Sequence, residues 1–101
     1  NDGSTQLHAA AMMGHTQTVT ELLNHKANPN IPDNDGMTPL HAAALRGRTQ
    51  TVTELLSHGA DSNIQSKLGK TPLDIASMWG HTQTVAELLS HGTDSNNREN
   101  N

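Results

Sequence analysis

The chain repeats itself every 33 residues. Gly3, Gly36 and Gly69 stand one period apart, and the same interval links Leu7, Leu40 and Leu73, then Gly14, Gly47 and Gly80, then Val19, Val52 and Val85. The leucine pairs Leu22-Leu23, Leu55-Leu56 and Leu88-Leu89 follow it too, and three periods fill the 101 residues almost completely, without an insertion. A period of this size marks a stack of supersecondary units, none of which buries its apolar face alone. The sequence therefore predicts a single domain over 1–101, with repeats at approximately 1–32, 33–65 and 66–98 and a tail at 99–101.

Periodicity also accounts for a lean composition. Only 32% of residues are hydrophobic, one is aromatic, and Leu, Ile, Val and Phe together number 17, which in a strongly charged chain would point to disorder. A formal net charge of -4 is too weak for that, and its sign is wrong for a nucleic-acid arm. The absence of Cys excludes a disulfide framework and thiolate metal ligands. No apolar run approaches the roughly 20 residues of a membrane span, and no basic leader precedes an apolar stretch. The expectation is a soluble, intracellular chain, in the cytoplasm first, with the nucleus or secretion as an effector as alternatives.

The middle period shows the unit. Asp35-Gly36 marks a tight turn, and Thr38-Pro39 starts a helix, the hydroxyl capping free N–H groups and Pro occupying the first helical position. Leu40, Ala43 and Ala44 share one face, and Gly47 supplies a left-handed stop. A second helix is expected from Thr49 or Thr51, the latter with Glu54 as a capping box. Its stripe is Val52, Leu55 and Leu56, and Gly59 ends it. Helices this short are below the ~12–15 residues needed for marginal stability alone, so each must pack on its partner and on the next unit. Alanines 42–44 allow the close approach that replaces an aromatic core.

These residues resemble the ankyrin repeat over essentially the whole chain: Gly36, Thr38-Pro39-Leu40-His41, Ala43-Ala44, Gly47, Leu55-Leu56, Gly59-Ala60-Asp61 and Asn63 fit one copy without gaps. The resemblance implies an all-α solenoid of helix-turn-helix units with β-turn fingers projecting roughly at right angles, and a concave binding face made by fingers and first helices. The end copies depart from the pattern. The first starts within its finger, has Gln6 for Pro, and puts Lys26 where the helix-stop Gly belongs; the third has Asp74 for His and an Asn-rich end. These features suit capping of the stack and equally suit a segment of a longer array. A side chain held in the left-handed region costs roughly 1 kcal/mol relative to Gly, so the first copy is expected to be the softer end.

Seven histidines invite a metal or acid–base reading. They fall in columns: His8, His41 and Asp74; His25, His58 and His91; His15, Arg48 and His81. Packed helices lie ~8–10 Å apart whereas Zn–N bonds are ~2.0–2.1 Å, so a shared metal site is not expected. The resemblance gives His8 and His41 a structural role, tying finger to helix, and the His25 column sits where helices end and carbonyls are free. Gly69-Lys70-Thr71 looks like the end of a phosphate loop, but Ile64 replaces its first Gly and Pro72 follows directly. No nucleophile elbow, zinc-protease motif or carboxylate pair appears. The expectation is no enzyme, no catalytic residue, no cofactor and no metal, and, with six Lys and Arg against ten Asp and Glu, no nucleic acid.

The copies disagree most at the end of the first helix, where Met12-Met13, Leu45-Arg46 and Met78-Trp79 correspond. The resemblance places these positions in the concave groove, and Trp, Met and Arg are enriched at interface cores; for Met12 and Met78 the competing reading is that they fill the stack. Finger positions add Ser4, Met37 and Lys70, and Asp2, Asp35 and Leu68, with Asn34 and Lys67 beside them, an acidic-to-basic gradient that would orient a partner. The predicted partner-binding residues are Met12, Met13, Met37, Leu45, Arg46, Leu68, Lys70, Met78 and Trp79, in a monomer that binds a protein partner. Alternative readings are a consensus-like or engineered scaffold without a dedicated partner, because Thr-Gln-Thr-Val recurs in every copy, and a substrate of an asparaginyl hydroxylase at Asn30, Asn63 or Asn96. Protonation of the histidines near pH 6 is a further route to pH-sensitive binding.

Overall fold

A computed structural model describes residues 5–92. Asp2 and Ser4 of the first finger, Asn96 and the tail at 99–101 lie outside the described residues. The described residues form the helices α1 (Gln6–Met13), α2 (Thr16–Asn24), α3 (Pro39–Leu45), α4 (Thr49–Ser57), α5 (Pro72–Met78) and α6 (Thr82–Gly92). The described residues contain no strand. The first helices α1, α3 and α5 pack side by side, as do the second helices α2, α4 and α6, and each pair within a repeat packs together. Two layers of short helices result, as the repeat requires.

Each first helix opens on a capping box. Thr38 is extended at the N-cap, its hydroxyl accepts from the His41 N–H, and His41 Nδ1 accepts from the Thr38 N–H at 3.0 Å. Thr5 with His8 and Thr71 with Asp74 repeat the arrangement. Because Nδ1 accepts, the neutral His41 ring carries its hydrogen on Nε2, which donates to the Lys70 carbonyl of the next finger at 2.9 Å; His8 Nε2 likewise reaches the Met37 carbonyl at 2.8 Å. The expected finger-to-helix tie is present, and it crosses from one repeat to the next.

Of the two expected starts of the second helix, the structure takes Thr49. Thr51 is not an N-cap. It lies inside α4, 1% exposed, and its hydroxyl shares a hydrogen bond of 2.9 Å with Thr16 of the previous repeat; Arg48 holds the N-cap position without a side-chain cap bond. Thr49 and Thr84 make the same 2.9 Å pair at the next junction.

Helix ends follow the pattern more closely. Gly47 and Gly59 have φ of 67° and 94°, and Lys26 is the one described non-glycine residue with positive φ, at 74°. At the C-cap of α4, His58 Nδ1 lies 3.0 Å from the Glu54 carbonyl, the helix-end role expected of its column.

The core is aliphatic and small: Leu7, Ala11, Val19, Leu40, Ala43, Ala44, Val52, Leu55, Ala76 and Leu88 are buried in one cluster. Alanine at the contact lets helices approach closely, so leucine from the second layer fills the remaining space. Burial of the capping histidine is the polar exception. His41 is fully enclosed, and desolvation, only partly offset by its bond to the Lys70 carbonyl and by the Asp33 carboxylate, lowers its pKa below the ordinary 6.5.

Candidate functional site

The residues at the ends of the first helices sit on one frame, and the frame is rigid because its other members are buried. In α3, Pro39 to Ala44 are all buried, so Leu45, half-buried, and Arg46, exposed at the C-cap, leave the core together. In α5, Ile75 and Ala76 are buried, and then Met78 and Trp79 emerge, each 61% exposed. The equivalent Met13 is 55% exposed, while Met12 is half-buried. A filling role in the stack therefore does not describe Met78.

The structure brings part of the predicted set together. Leu45, Arg46 and Trp79 line one open hollow of about 370 Å³ with His81. His81 was not among the predicted residues. Its ring is held there by a hydrogen bond from Nε2 to the Leu45 carbonyl at 3.0 Å, and the available sequence signals were its place beside Trp79-Gly80 and its column with His15 and Arg48. The corresponding bond at the first junction runs from Arg48 Nε to the Met12 carbonyl at 3.1 Å.

The finger residues have a different character. Asp33 organises the second finger: its carboxylate accepts from the N–H groups of Asp35 and Met37, and its own N–H donates to the Met37 carbonyl at 2.8 Å. In the third finger Ser66 replaces it, the hydroxyl accepting from Leu68 and Lys70 N–H groups. The backbones of Met37 and Lys70 are thus structural, with Met37 half-buried, whereas the Lys70 side chain and Leu68, 85% exposed, project outward. The Lys67 N–H donates to the Asp35 carbonyl at 2.9 Å and fixes the third finger against the second.

Chemically the surface can bind and orient. Among the described residues no three His, Cys, Asp or Glu side chains converge as metal ligands, and no helix is long and apolar enough to cross a membrane. Arg46 and Lys70 offer cationic groups, while Trp79, Met78, Met13 and Leu68 offer apolar area. Asn30 spends both ends of its amide on the next repeat, donating to the Gly59 carbonyl and accepting from the Asp61 N–H, whereas Asn63 is exposed.

Comparison with known proteins agrees with this architecture. A family model for ankyrin repeats in three copies matches residues 7–99, and none of the curated proteins matches the chain. Ankyrin repeats are generally protein-interaction modules and generally non-enzymatic. With nearly the full length matched and the repeat, helix pairs and fingers in place, the chain belongs to the ankyrin-repeat family.

Proposed function

We propose that this protein binds a protein partner through the surface formed by the ends of α1, α3 and α5 and the finger tips, centred on Trp79 and including Met12, Met13, Met37, Leu45, Arg46, Leu68, Lys70 and Met78. The observation that carries this reading is the exposure of Trp79 and Met78 at 61% each, on a helix whose preceding residues Ile75 and Ala76 are buried. A large side chain held on a rigid base loses little conformational freedom on binding, and Trp, Met and Arg are suited to the desolvated centre of an interface. The hollow between Leu45 and Trp79 is open enough to receive an apolar partner side chain, with Arg46 at its rim for a carboxylate.

Binding is rigid-surface recognition by one copy of the chain. Affinity capture with wild-type and Trp79→Ala baits, followed by calorimetry on the captured partner, tests it. Loss of a hot spot weakens binding by about 2 kcal/mol, roughly 30-fold, with the circular dichroism of the bait unchanged. Equal affinity of the two baits would sink the proposal and return the scaffold reading.

A further inference from the structure

The hollow between the second and third repeats has its backbone acceptors bonded and its side-chain donors free. At the end of α3 the Ala42 carbonyl accepts from the Arg46 N–H, Ala43 from Arg48 and Ala44 from Gly47, while the Leu45 carbonyl accepts from His81 Nε2. At the end of α5 the Ile75, Ala76 and Ser77 carbonyls are taken in the same way by the N–H groups of Trp79, His81 and Gly80. His81 Nδ1 is turned onto Gly47, 2.7 Å from where a Cβ would stand. By contrast, neither the Arg46 guanidinium nor the Trp79 indole N–H makes a hydrogen bond or ion pair among the described residues. Both side chains are exposed and line the same hollow of about 370 Å³. A guanidinium carries five donors and an indole one, and neither accepts. Leu45 and the indole ring supply the apolar wall. Because α3 has a described helix packed on each side, the exposure of Arg46 belongs to the side of the stack and not to either end.

A ligand for such a surface brings acceptors and apolar bulk but few N–H groups of its own. An α-helix offers no acceptors along its side, since its carbonyls are bonded internally, and its turns recur every ~5.4 Å. A β-strand brings as many N–H donors as carbonyls, and those donors would meet carbonyls already bonded. A proline-rich segment in the polyproline II conformation differs from both. Its carbonyls face solvent, its prolines lack the N–H, and side chains three residues apart share a face. Three residues of that conformation advance about 9.3 Å, within the ~8–10 Å that separates packed helices. Successive first helices therefore meet every third side chain of the segment, with Met12 and Met13 one turn along from the residue seated between Leu45 and Trp79.

We propose that the partner contacts this surface through a proline-rich polyproline II segment, with an apolar residue at every third position and a carboxylate next to the residue in the Leu45–Trp79 hollow. The inference rests on the surface reading above and narrows its partner to a linear segment of stated chemistry. Trp79 packs its ring on a proline and donates its N–H to a carbonyl, and Arg46 donates to the carboxylate. The segment is extended before it binds, so little chain entropy is lost.

Trp79 is the only aromatic residue of the chain, so its emission reads the site directly. The probe is a capped peptide of four Leu-Pro-Pro units with one proline replaced by glutamate, titrated to roughly 1 mM, the range of a weak linear-motif contact of about -4 kcal/mol or better. The emission of Trp79 is expected to shift saturably, with amide NMR shifts at Leu45, Arg46 and Trp79 and none at Glu54 or His58. A control with every proline replaced by glycine adds N–H groups and flexibility and is expected to bind at least about tenfold more weakly. Arg46→Gln, at an exposed site, is expected to fold by circular dichroism and to bind the glutamate probe about tenfold more weakly, but a glutamine version of the probe almost as the wild type does. No saturable shift, a glycine control that binds equally, or an Arg46→Gln variant that binds the glutamate probe unchanged would each overturn the inference. Tighter binding of a helix-forming peptide with the same leucines and glutamate would assign the surface to a helix and overturn it equally. Capture of a partner that depends on Trp79, while the proline probe neither binds nor competes, would overturn this inference alone and leave the surface reading standing.

Discussion

Gly47 and Gly80 occupy the same position in successive repeats, share the left-handed conformation at φ 67° and 73°, and differ only in what faces them. Alanine at either site meets the left-handed penalty of roughly 1–2 kcal/mol, partly offset because the unfolded chain loses entropy when Gly is replaced, by ~0.4–1 kcal/mol. Nothing lies within 4 Å of a Cβ on Gly80, so Gly80→Ala is expected to destabilise by about 1 kcal/mol and no more. At Gly47 the new Cβ would sit 2.7 Å from Nδ1 and 2.9 Å from Cγ of His81, and the ring must move away from the Leu45 carbonyl it holds at 3.0 Å. Losing that bond adds about 0.5–1.5 kcal/mol, and the crowding adds a similar amount, giving about 2–4 kcal/mol for Gly47→Ala. Urea unfolding at micromolar concentration, followed by far-ultraviolet circular dichroism and by Trp79 fluorescence, measures both. Introducing Gly47→Ala into a His81→Ala background should reduce its effect to that of Gly80→Ala, a coupling of about 1–3 kcal/mol. If Gly80→Ala proved as damaging as Gly47→Ala, or the coupling were absent, the glycine would serve the turn alone and the junction argument would be refuted.

Two further perturbations follow from the same geometry. Lys26→Gly relieves the left-handed strain at φ 74° and should raise the urea midpoint, the roughly 1–2 kcal/mol relieved exceeding the entropy that Gly restores to the unfolded chain; an unchanged or lower midpoint contradicts the strain. His41, whose folded pKa is held below 6.5 by burial, binds its proton more readily when unfolded. Its contribution to stability is thus complete above pH 6.5 and is lost as the pH falls from there through the folded pKa, with a limiting slope of about 1.4 kcal/mol per pH unit for one proton. NMR titration of the His41 ring protons should show a midpoint below 6.5, and a midpoint at or above it excludes the desolvation argument.

Fold and junctions were legible to different depths. The glycine columns, Thr38-Pro39 and the paired leucines locate the helix pairs because their physics is local: a cap, a stop and an apolar stripe each act within one turn. Thr51 shows where locality fails. With Glu54 three residues on, it reads as a capping box, yet its hydroxyl pairs with Thr16, 35 residues away, and a residue's partner in the next layer cannot be found from its neighbours in sequence. His81 was passed over for the same reason, since its bond to the Leu45 carbonyl spans 36 residues. At the candidate surface, variation between copies singled out Met78, Trp79, Met13 and Arg46, and these are exposed. Met12, Leu45 and Met37 are half-buried, and their backbone carbonyls bond to Arg48, His81 and His8 across the repeat junctions.

The hydrogen bonds described between repeats span from 29 to 36 residues, never farther. No unit needs information about a distant one, so the molecule has a direction but no inherent length. Folding can start in any repeat and spread along the axis as a zipper closes, without the long loop closures that slow other topologies. It also opens from its ends. Amide hydrogen exchange should then decline from both termini toward α3 and α4, and a duplicated or deleted 33-residue period would shift the melting point without disturbing the geometry of those that remain.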